Sequence, residues 1–160
     1  MPEVTVSRVL RSPTLFLAFG LGSGLSPRAP GTAGTLVALL LYLPLAQWGL
    51  VAYSAVVVVA ALFGIWLCGR ASRLLGVHDH PGIVWDEFVG CWITLWALPA
   101  EGLWLAAGFV VFRIYDIAKP WPIGQLDRGV HGGLGIMLDD IAAGAMACGT
   151  LHLALWLAGG

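Results

Sequence analysis

From Ala29 to Gly69 the chain runs 41 residues without an Asp, Glu, Lys, Arg or His. A bilayer crossing takes roughly 20 apolar residues, so this run fits two transmembrane helices joined by a turn. Pro44, Gln47 and Gly49 mark the turn, and Trp48 beside them suits a membrane interface. A second pair follows. Phe88 to Ala100 is uncharged, Pro99-Ala100-Glu101-Gly102 reads as a turn, and Leu103 to Phe112 is apolar again. Each of these runs is short for a full crossing unless its polar ends are shielded inside a bundle. Ile141 to Gly160, interrupted only by His152, is the last candidate. The expectation is an all-α, compact multi-helix membrane bundle with four to five transmembrane segments, forming one domain over residues 1–160.

Composition agrees. Hydrophobic residues make up 59% of the chain and charged residues 11%, against about 25% charged in a soluble domain. Such an apolar excess excludes disorder, and a formal charge of −1 removes the electrostatic case for nucleic-acid binding. Cys68, Cys91 and Cys148 sit singly in apolar runs, which fits neither a disulfide framework nor a zinc cluster. No cleavable signal is evident, since Glu3, Arg8 and Arg11 precede a stretch broken by glycine and proline.

Hairpin geometry places the charges. With the first turn near residues 44–49, Arg28 and Arg70 emerge on the same side. Glu87 precedes Ala100 by 13 residues and Arg113 follows it by 13, so both lie about 20 Å from the second turn. All eight basic residues (Arg8, Arg11, Arg28, Arg70, Arg73, Arg113, Lys119 and Arg128) fall on that side, and the opposite turns have none. The positive-inside rule makes that side cytoplasmic, with the N-terminus inside and, for five spans, the C-terminus outside.

Of the nine acids, only Glu3 and Glu101 lie away from this face. The others fall in three clusters, around His78-Asp79-His80 with Asp86-Glu87, around Arg113, Asp116 and Lys119, and from Asp127-Arg128 through His131 to Asp139-Asp140. Carboxylates at the edge of apolar helices are costly unless paired or bound to a cation. Adjacent acids diverge by about 100° on a helix, so one of each pair can face the bundle interior. Hard oxygen ligands without nearby thiols select Mg²⁺ or Mn²⁺ over zinc. Internal salt bridges to Arg113, Lys119 and Arg128 would account for one or two of these acids. They account less well for seven acids, three histidines and three bases at one level. Arg113, Asp116 and Lys119 share an arc of about 120°, where both a local Arg113–Asp116 ion pair and a catalytic Asp116 fit.

A fourth polar element is the loop Phe19-Gly20-Leu21-Gly22-Ser23-Gly24-Leu25-Ser26-Pro27-Arg28, which leads into a helix beginning near Thr32. It lacks Gly-Lys-Ser/Thr, so it is no P-loop, and no strand supports a dinucleotide fold. Its glycines, the hydroxyls of Ser23, Ser26 and Thr32, and Arg28 are suited to an anion at a helix N-terminus. Glycine used for close helix packing is the alternative. His78, His80 and His131 are each open to proton transfer, metal ligation or loop hydrogen bonding. His152, alone in the last span, reads as a structural hydrogen-bonder, and the tryptophans as interface anchors and packing.

Four motifs in order also resemble a known family. They are Phe-Gly-x-Gly-Ser-Gly-Leu-Ser-Pro with Pro30-Gly31-Thr32, Val-His-Asp-His with Ile-Val-Trp-Asp-Glu-Phe, Phe-Arg-x-x-Asp-x-x-Lys-Pro-Trp-Pro-Ile, and Asp-Arg-x-Val-His-Gly-Gly with Asp-Asp. Together they cover about residues 16 to 148 and closely resemble phosphatidylglycerophosphatase A. The resemblance implies a bacterial inner-membrane, Mg²⁺-dependent lipid phosphatase that removes the terminal phosphate of phosphatidylglycerophosphate. It also implies a bundle of about five or six helices with a central one ringed by the others.

Other phosphatase routes lack their signatures: there is no Cys-x₅-Arg, no Asp-x-Asp-x-Thr and no Pro-Ser-Gly-His. Metal-assisted water attack is the chemistry both readings share. The expected metal ligands are Asp86, Glu87, Asp139 and Asp140 for Mg²⁺ (or Mn²⁺), and Asp116, Lys119 and His131 complete the expected catalytic set. Gly22, Ser23, Ser26, Arg28, Thr32, Arg113, Arg128, His78 and His80 are the expected substrate contacts, with acyl chains remaining in the bilayer. A CDP-alcohol phosphotransferase would need Asp-Gly-x₂-Ala-Arg, which is absent. An ion- or proton-coupled transporter, the non-enzyme alternative, would place its acids near mid-membrane.

Overall fold

Proline and glycine set the ends of the apolar runs. The structure, a computed structural model, describes residues 4–159, and Glu3 lies outside the described residues. Two short helices open it, α1 (Val6–Arg11) and α2 (Pro13–Ala18). The Ser12 side chain accepts the Leu15 N–H and Pro13 takes the first helical position, so α2 starts where both signals coincide. A 3₁₀ turn over Gly20–Leu25 leads to α3 (Pro30–Leu45), and a second 3₁₀ turn, Ala46–Trp48, reverses the chain into α4 (Leu50–Leu75). Gly76, at φ 69°, supplies the left-handed residue that ends α4. Then come α5 (Trp85–Thr94), α6 (Gly102–Ala118), α7 (Ile123–Gly129) and α8 (Gly132–Leu157). No strand occurs among the described residues. Both turns expected from the sequence, at 44–49 and 99–102, lie where the chain reverses.

Three segments are long and apolar enough to cross a bilayer: Pro30–Trp48, Leu50–Leu75 and Gly132–Leu157. The expected second pair is different in kind. With 10 residues, α5 is about 15 Å long, half the hydrocarbon thickness of about 30 Å. Its run of apolar residues reflects burial against protein, since Phe88, Val89, Cys91 and Trp92 are all buried. Side-chain donors tie it to its neighbours. Trp92 Nε1 donates to the Ala38 carbonyl on α3 (2.9 Å), and Tyr53 of α4 donates through its hydroxyl to the Trp92 carbonyl (2.6 Å). The more numerous helices come from short pieces, α1, α2 and α7, that the apolar periodicity does not mark.

The innermost span is α8. Half of its apolar window is buried, against 28% for α3 and α4, and it packs on α4, α5, α6 and α7. Its crossing with α5 is close: a Cβ at Gly144 would lie 2.5 Å from the Gly90 carbonyl oxygen. Thr94 Oγ1 donates to Gly90 O at 2.9 Å and lies 3.5 Å from Gly144 O, pinning the same contact. The outer surface is apolar, with Leu40, Val59, Leu62, Leu103 and Ile114 exposed. In a bilayer these side chains need no cover.

The loops divide between two ends. At one end Gly132 N–H donates to His78 Nε2 (2.8 Å), Arg8 donates to the Leu74 carbonyl, and Lys119 reaches Asp139. The turns at 46–49 and 95–101 form the other end, with Glu101 among them.

Because the obstructing atom at Gly144 is backbone, a methyl there has nowhere to go. Gly144→Ala is expected to destabilise the protein by about 1–3 kcal/mol, read as a lower thermal midpoint in detergent. Gly149→Ala on the same helix, with open space around it, is expected to be neutral or stabilising by up to about 1 kcal/mol.

Candidate active site

Three helix ends and one helix interior build the polar site. The first turn of α5 carries Asp86 and Glu87. The last turns of α6 carry Arg113 and Asp116, with Lys119 at the left-handed residue that ends the helix. Asp139 and Asp140 are the eighth and ninth residues of α8, about 11 Å along it. Ala29, Pro30 and Gly31 bring the start of α3 to the same place. Together with Asp79, Pro81, Ile83 and Ile117 these residues line a cavity of about 280 Å³.

Within it, carboxylate oxygens of Asp86, Glu87 and Asp140 all lie within 4.8 Å of one another. Asp86 and Asp140 are buried, at 9% and 3% exposure, and the Glu87 side chain is 13% exposed. Like charges at that spacing repel by about 3–4 kcal/mol per pair at an effective dielectric of about 20. Asp86 Oδ1 and Glu87 Oε2 are buried without a hydrogen-bond partner among the protein atoms. Three hard oxygen donors with open lone pairs and no thiol suit Mg²⁺ or Mn²⁺.

The basic residues answer part of this charge. Arg113 pairs with Asp116, three residues on, and lies 3.8 Å from Glu87. Lys119 Nζ donates to Asp127 Oδ1 on α7 and to Asp139 Oδ2 on α8, both at 2.7 Å. Burial alone would lower the Lys119 ammonium, but the two carboxylates outweigh it and hold Lys119 above the usual lysine range. It therefore stays cationic at any physiological pH.

Asp139 is placed apart from the other three expected ligands. Its Oδ2 is taken by Lys119, so it stands beside the three-carboxylate group rather than within it, while its Oδ1 is buried and unpartnered. Several expected substrate contacts are off the cavity wall. Ser23 Oγ donates to Gly20 O and Ser26 Oγ to Arg28 O, each at 2.8 Å, so the hydroxyls serve the loop itself. Gly22 belongs to that same turn, and Gly24 packs on the Gly82 carbonyl, so the glycine loop is a packing device that seats the start of α3. Thr32, one residue past the lining segment, and Arg28, exposed, are also off the wall. Arg128 is exposed and donates from Nε to Gly124 O.

The histidines likewise serve loops. His80 Nδ1 accepts the Gly82 N–H (3.0 Å) and its ring lies against Phe19, and burial pushes its imidazole below the ordinary range. His78 and His131 meet edge to face at 5.4 Å. His78 borders a second, smaller hollow that shares Asp79 and Asp139 with the first.

Sequence reasoning passed over Asp79, Asp127 and Gly31 as site residues. Asp127 gains its place only through Lys119. Gly31 has no room for a side chain, since a Cβ there would strike Glu87 Oε1 and lie 3.0 Å from Arg113. Its position directly after Pro30 in a helix start was the available signal.

If the three-carboxylate group takes a divalent cation, Mg²⁺ is expected to raise the thermal midpoint in detergent, corresponding to about 2.7 kcal/mol at 100 times the dissociation constant. Asp140→Asn is expected to abolish that increment, and Glu101→Gln at the far end to leave it intact.

A family model of phosphatidylglycerophosphatase A matches residues 16–155 of the chain. A protein of that name from Escherichia coli (strain K12) is 52% identical over 157 residues, covering 94% of this chain and 88% of its own. One from Haemophilus influenzae is 42% identical over 140 residues, 86% of each. A Bacteroides thetaiotaomicron protein with the provisional name of a phosphatidylinositol-3-phosphatase is 38% identical over 153 residues, 91% of this chain and 95% of its own. No solved structure gives a significant match. The match runs through all of the elements that line the cavity, and the chain belongs to the phosphatidylglycerophosphatase A family.

Proposed function

We propose that this protein hydrolyses the terminal phosphomonoester of phosphatidylglycerophosphate, releasing phosphatidylglycerol and phosphate, in the bacterial inner membrane with Mg²⁺ or Mn²⁺ as cofactor. The observation that carries the reading is the buried group Asp86, Glu87 and Asp140, with oxygens left open, at one end of an otherwise apolar bundle. The family relationship supplies the substrate class, and the names of the relatives share one chemistry, a phosphomonoester on a glycerophospholipid headgroup.

A divalent cation held by Asp86, Glu87 and Asp140 would supply charge for the phosphate oxygens and acidity for the attacking water. The chain's own residues do the rest. Arg113, oriented by Asp116, presents a guanidinium to the cavity, where a planar donor suits a phosphate. Lys119, held between Asp127 and Asp139, is a second fixed cation for charge that develops as the phosphate leaves. Asp79 and His78 line the second hollow, which meets the cavity at Asp79 and Asp139.

The exposed bases Arg28, Arg70, Arg73 and Arg128 belong to the end that carries the cavity, which orients that end toward the cytoplasm. The three long spans are joined by α6, whose 17 residues, about 25 Å, make a fourth crossing if it tilts little or the bilayer thins. A transporter is not supported, because the acids gather at one end of the bundle and the relatives carry phosphatase names.

Detergent-purified protein is expected to release phosphate from phosphatidylglycerophosphate with Mg²⁺ and to stop when chelator is in excess. Asp140→Asn is expected to lose more than the roughly 10–100-fold that follows loss of an outer partner of a metal site. Lys119→Met is expected to lower kcat more than it raises KM. Absence of release from folded, Mg²⁺-supplied protein would overturn the proposal, and faster release from phosphatidylinositol 3-phosphate would move it to that lipid.

A further inference from the structure

One face of α6 connects the polar cavity to the membrane-facing surface. Val110, Ile114 and Ile117 are 51%, 58% and 71% exposed and recur at spacings of four and three, which places them on one stripe of the helix. With Phe109, Arg113 and Ala118 they line an apolar furrow of about 430 Å³. Two of these residues, Arg113 and Ile117, also line the acidic cavity. The furrow therefore adjoins the acidic cavity, with Arg113 and Ile117 common to the linings of both.

A second apolar groove, between α4 and α5 and lined by Val59, Phe63, Trp85 and Trp92, is of similar size. It shares no residue with the cavity. A molecule lying there would have its polar end on the wrong side of α5, whose Asp86 and Glu87 face the cavity. Of these two grooves, the α6 furrow is the one that lets a single amphiphile touch apolar surface and the cationic wall of the site at once. Gly31, on the cavity wall, has no side chain to collide with Glu87 and crowd Arg113.

We infer that the lipid substrate approaches sideways from the bilayer along α6, with an acyl chain lying in the Val110–Ile114–Ile117 furrow while Arg113 takes the headgroup phosphate into the cavity. This inference rests on the proposed lipid phosphatase activity and adds the path and the residues that seat the chain. In a bilayer the furrow gains little from hydrophobicity alone, because lipid tails are as apolar as its side chains. Its contribution is positional: a chain held beside Arg113 puts the headgroup at the level of Asp86, Glu87 and Asp140.

The test is therefore steric. Ile114→Trp and, separately, Val110→Trp fill the furrow with an apolar ring that a membrane helix tolerates, and neither position lines the cavity. Val59→Trp places the same bulk in the other groove. Phosphate release is measured from dioleoyl phosphatidylglycerophosphate in mixed micelles and from its soluble dihexanoyl form. Ile114→Trp and Val110→Trp are expected to lower kcat/KM for the dioleoyl lipid at least tenfold, chiefly through KM. They should change the dihexanoyl value less than threefold, and Val59→Trp should leave both near wild type. Unchanged dioleoyl turnover in the two α6 variants, equal losses on both lipids, or a dioleoyl-selective loss in Val59→Trp would each overturn the inference. Failure of the unaltered protein to hydrolyse either lipid would instead overturn the proposed activity, and the furrow's role with it.

Discussion

Everything at the polar end depends on three carboxylates from two helices being held together inside the bundle. Asp86 and Glu87 come from α5 and Asp140 from α8, so their approach is set by how closely those helices cross. The crossing is made of backbone against backbone, with Gly144 on the Gly90 carbonyl and Thr94 bonded into the same contact. A larger residue at either glycine would separate the helices and with them the acids. The Asp140 carbonyl also lies within 2.8 Å of where a Gly90 Cβ would stand, so packing and site share one contact. Small residues at such interfaces are how membrane helices approach when no hydrophobic force drives them together.

The same constraint explains why α5 is short. A helix that carries two acids in its first turn and is covered by protein on most sides cannot also present lipid-facing length. Its N-terminus favours the acids through the helix dipole, and its other end turns at Leu95 and reverses toward α6 without reaching a second membrane surface on its own length. Hydropathy reads burial in protein and burial in lipid alike, which is why Phe88–Ala100 looks like part of a crossing. The distinction lies in which partners cover Phe88, Val89, Cys91 and Trp92, and a single sequence does not state partners.

What the sequence does state is where charge cannot go. The uncharged run to Gly69, the turns at 44–49 and 99–102 and equal spacing of Glu87 and Arg113 about Ala100 were enough to bring Asp86, Glu87, Asp116, Arg113, Lys119, Asp139 and Asp140 to one level, and the structure lines one cavity with all seven. Finer assignments are hardest to read where two good uses of a residue type compete. Glycine and serine suit an anion, but at residues 20–26 the hydroxyls bond their own loop and the glycines admit the 82–84 segment. Asp139 and Asp140 read alike in sequence, and only the left-handed Lys119 ending α6 decides that one is taken by an ammonium and the other joins the acids. Asp127 stands in the same acidic cluster in the sequence, but its pairing with Lys119 depends on where that side chain points.

The charge of the cavity sets an order for its chemistry. Six carboxyl groups (Asp79, Asp86, Glu87, Asp116, Asp139 and Asp140) face two bases, Arg113 and Lys119, a formal charge of −4 if all ionise. Both bases already lie against carboxylates, Arg113 against Asp116 and Lys119 against Asp127 and Asp139, so their charge is largely answered before an anion arrives. A phosphate approaching this cavity meets net repulsion in a place where water screens little. Either the acids protonate or cations arrive first. The second course fits oxygens that are buried, clustered and left without donors. With the charge balanced in that order, the apolar furrow on α6 has a positional part: a chain lying beside Arg113 keeps the headgroup at the level of the acids.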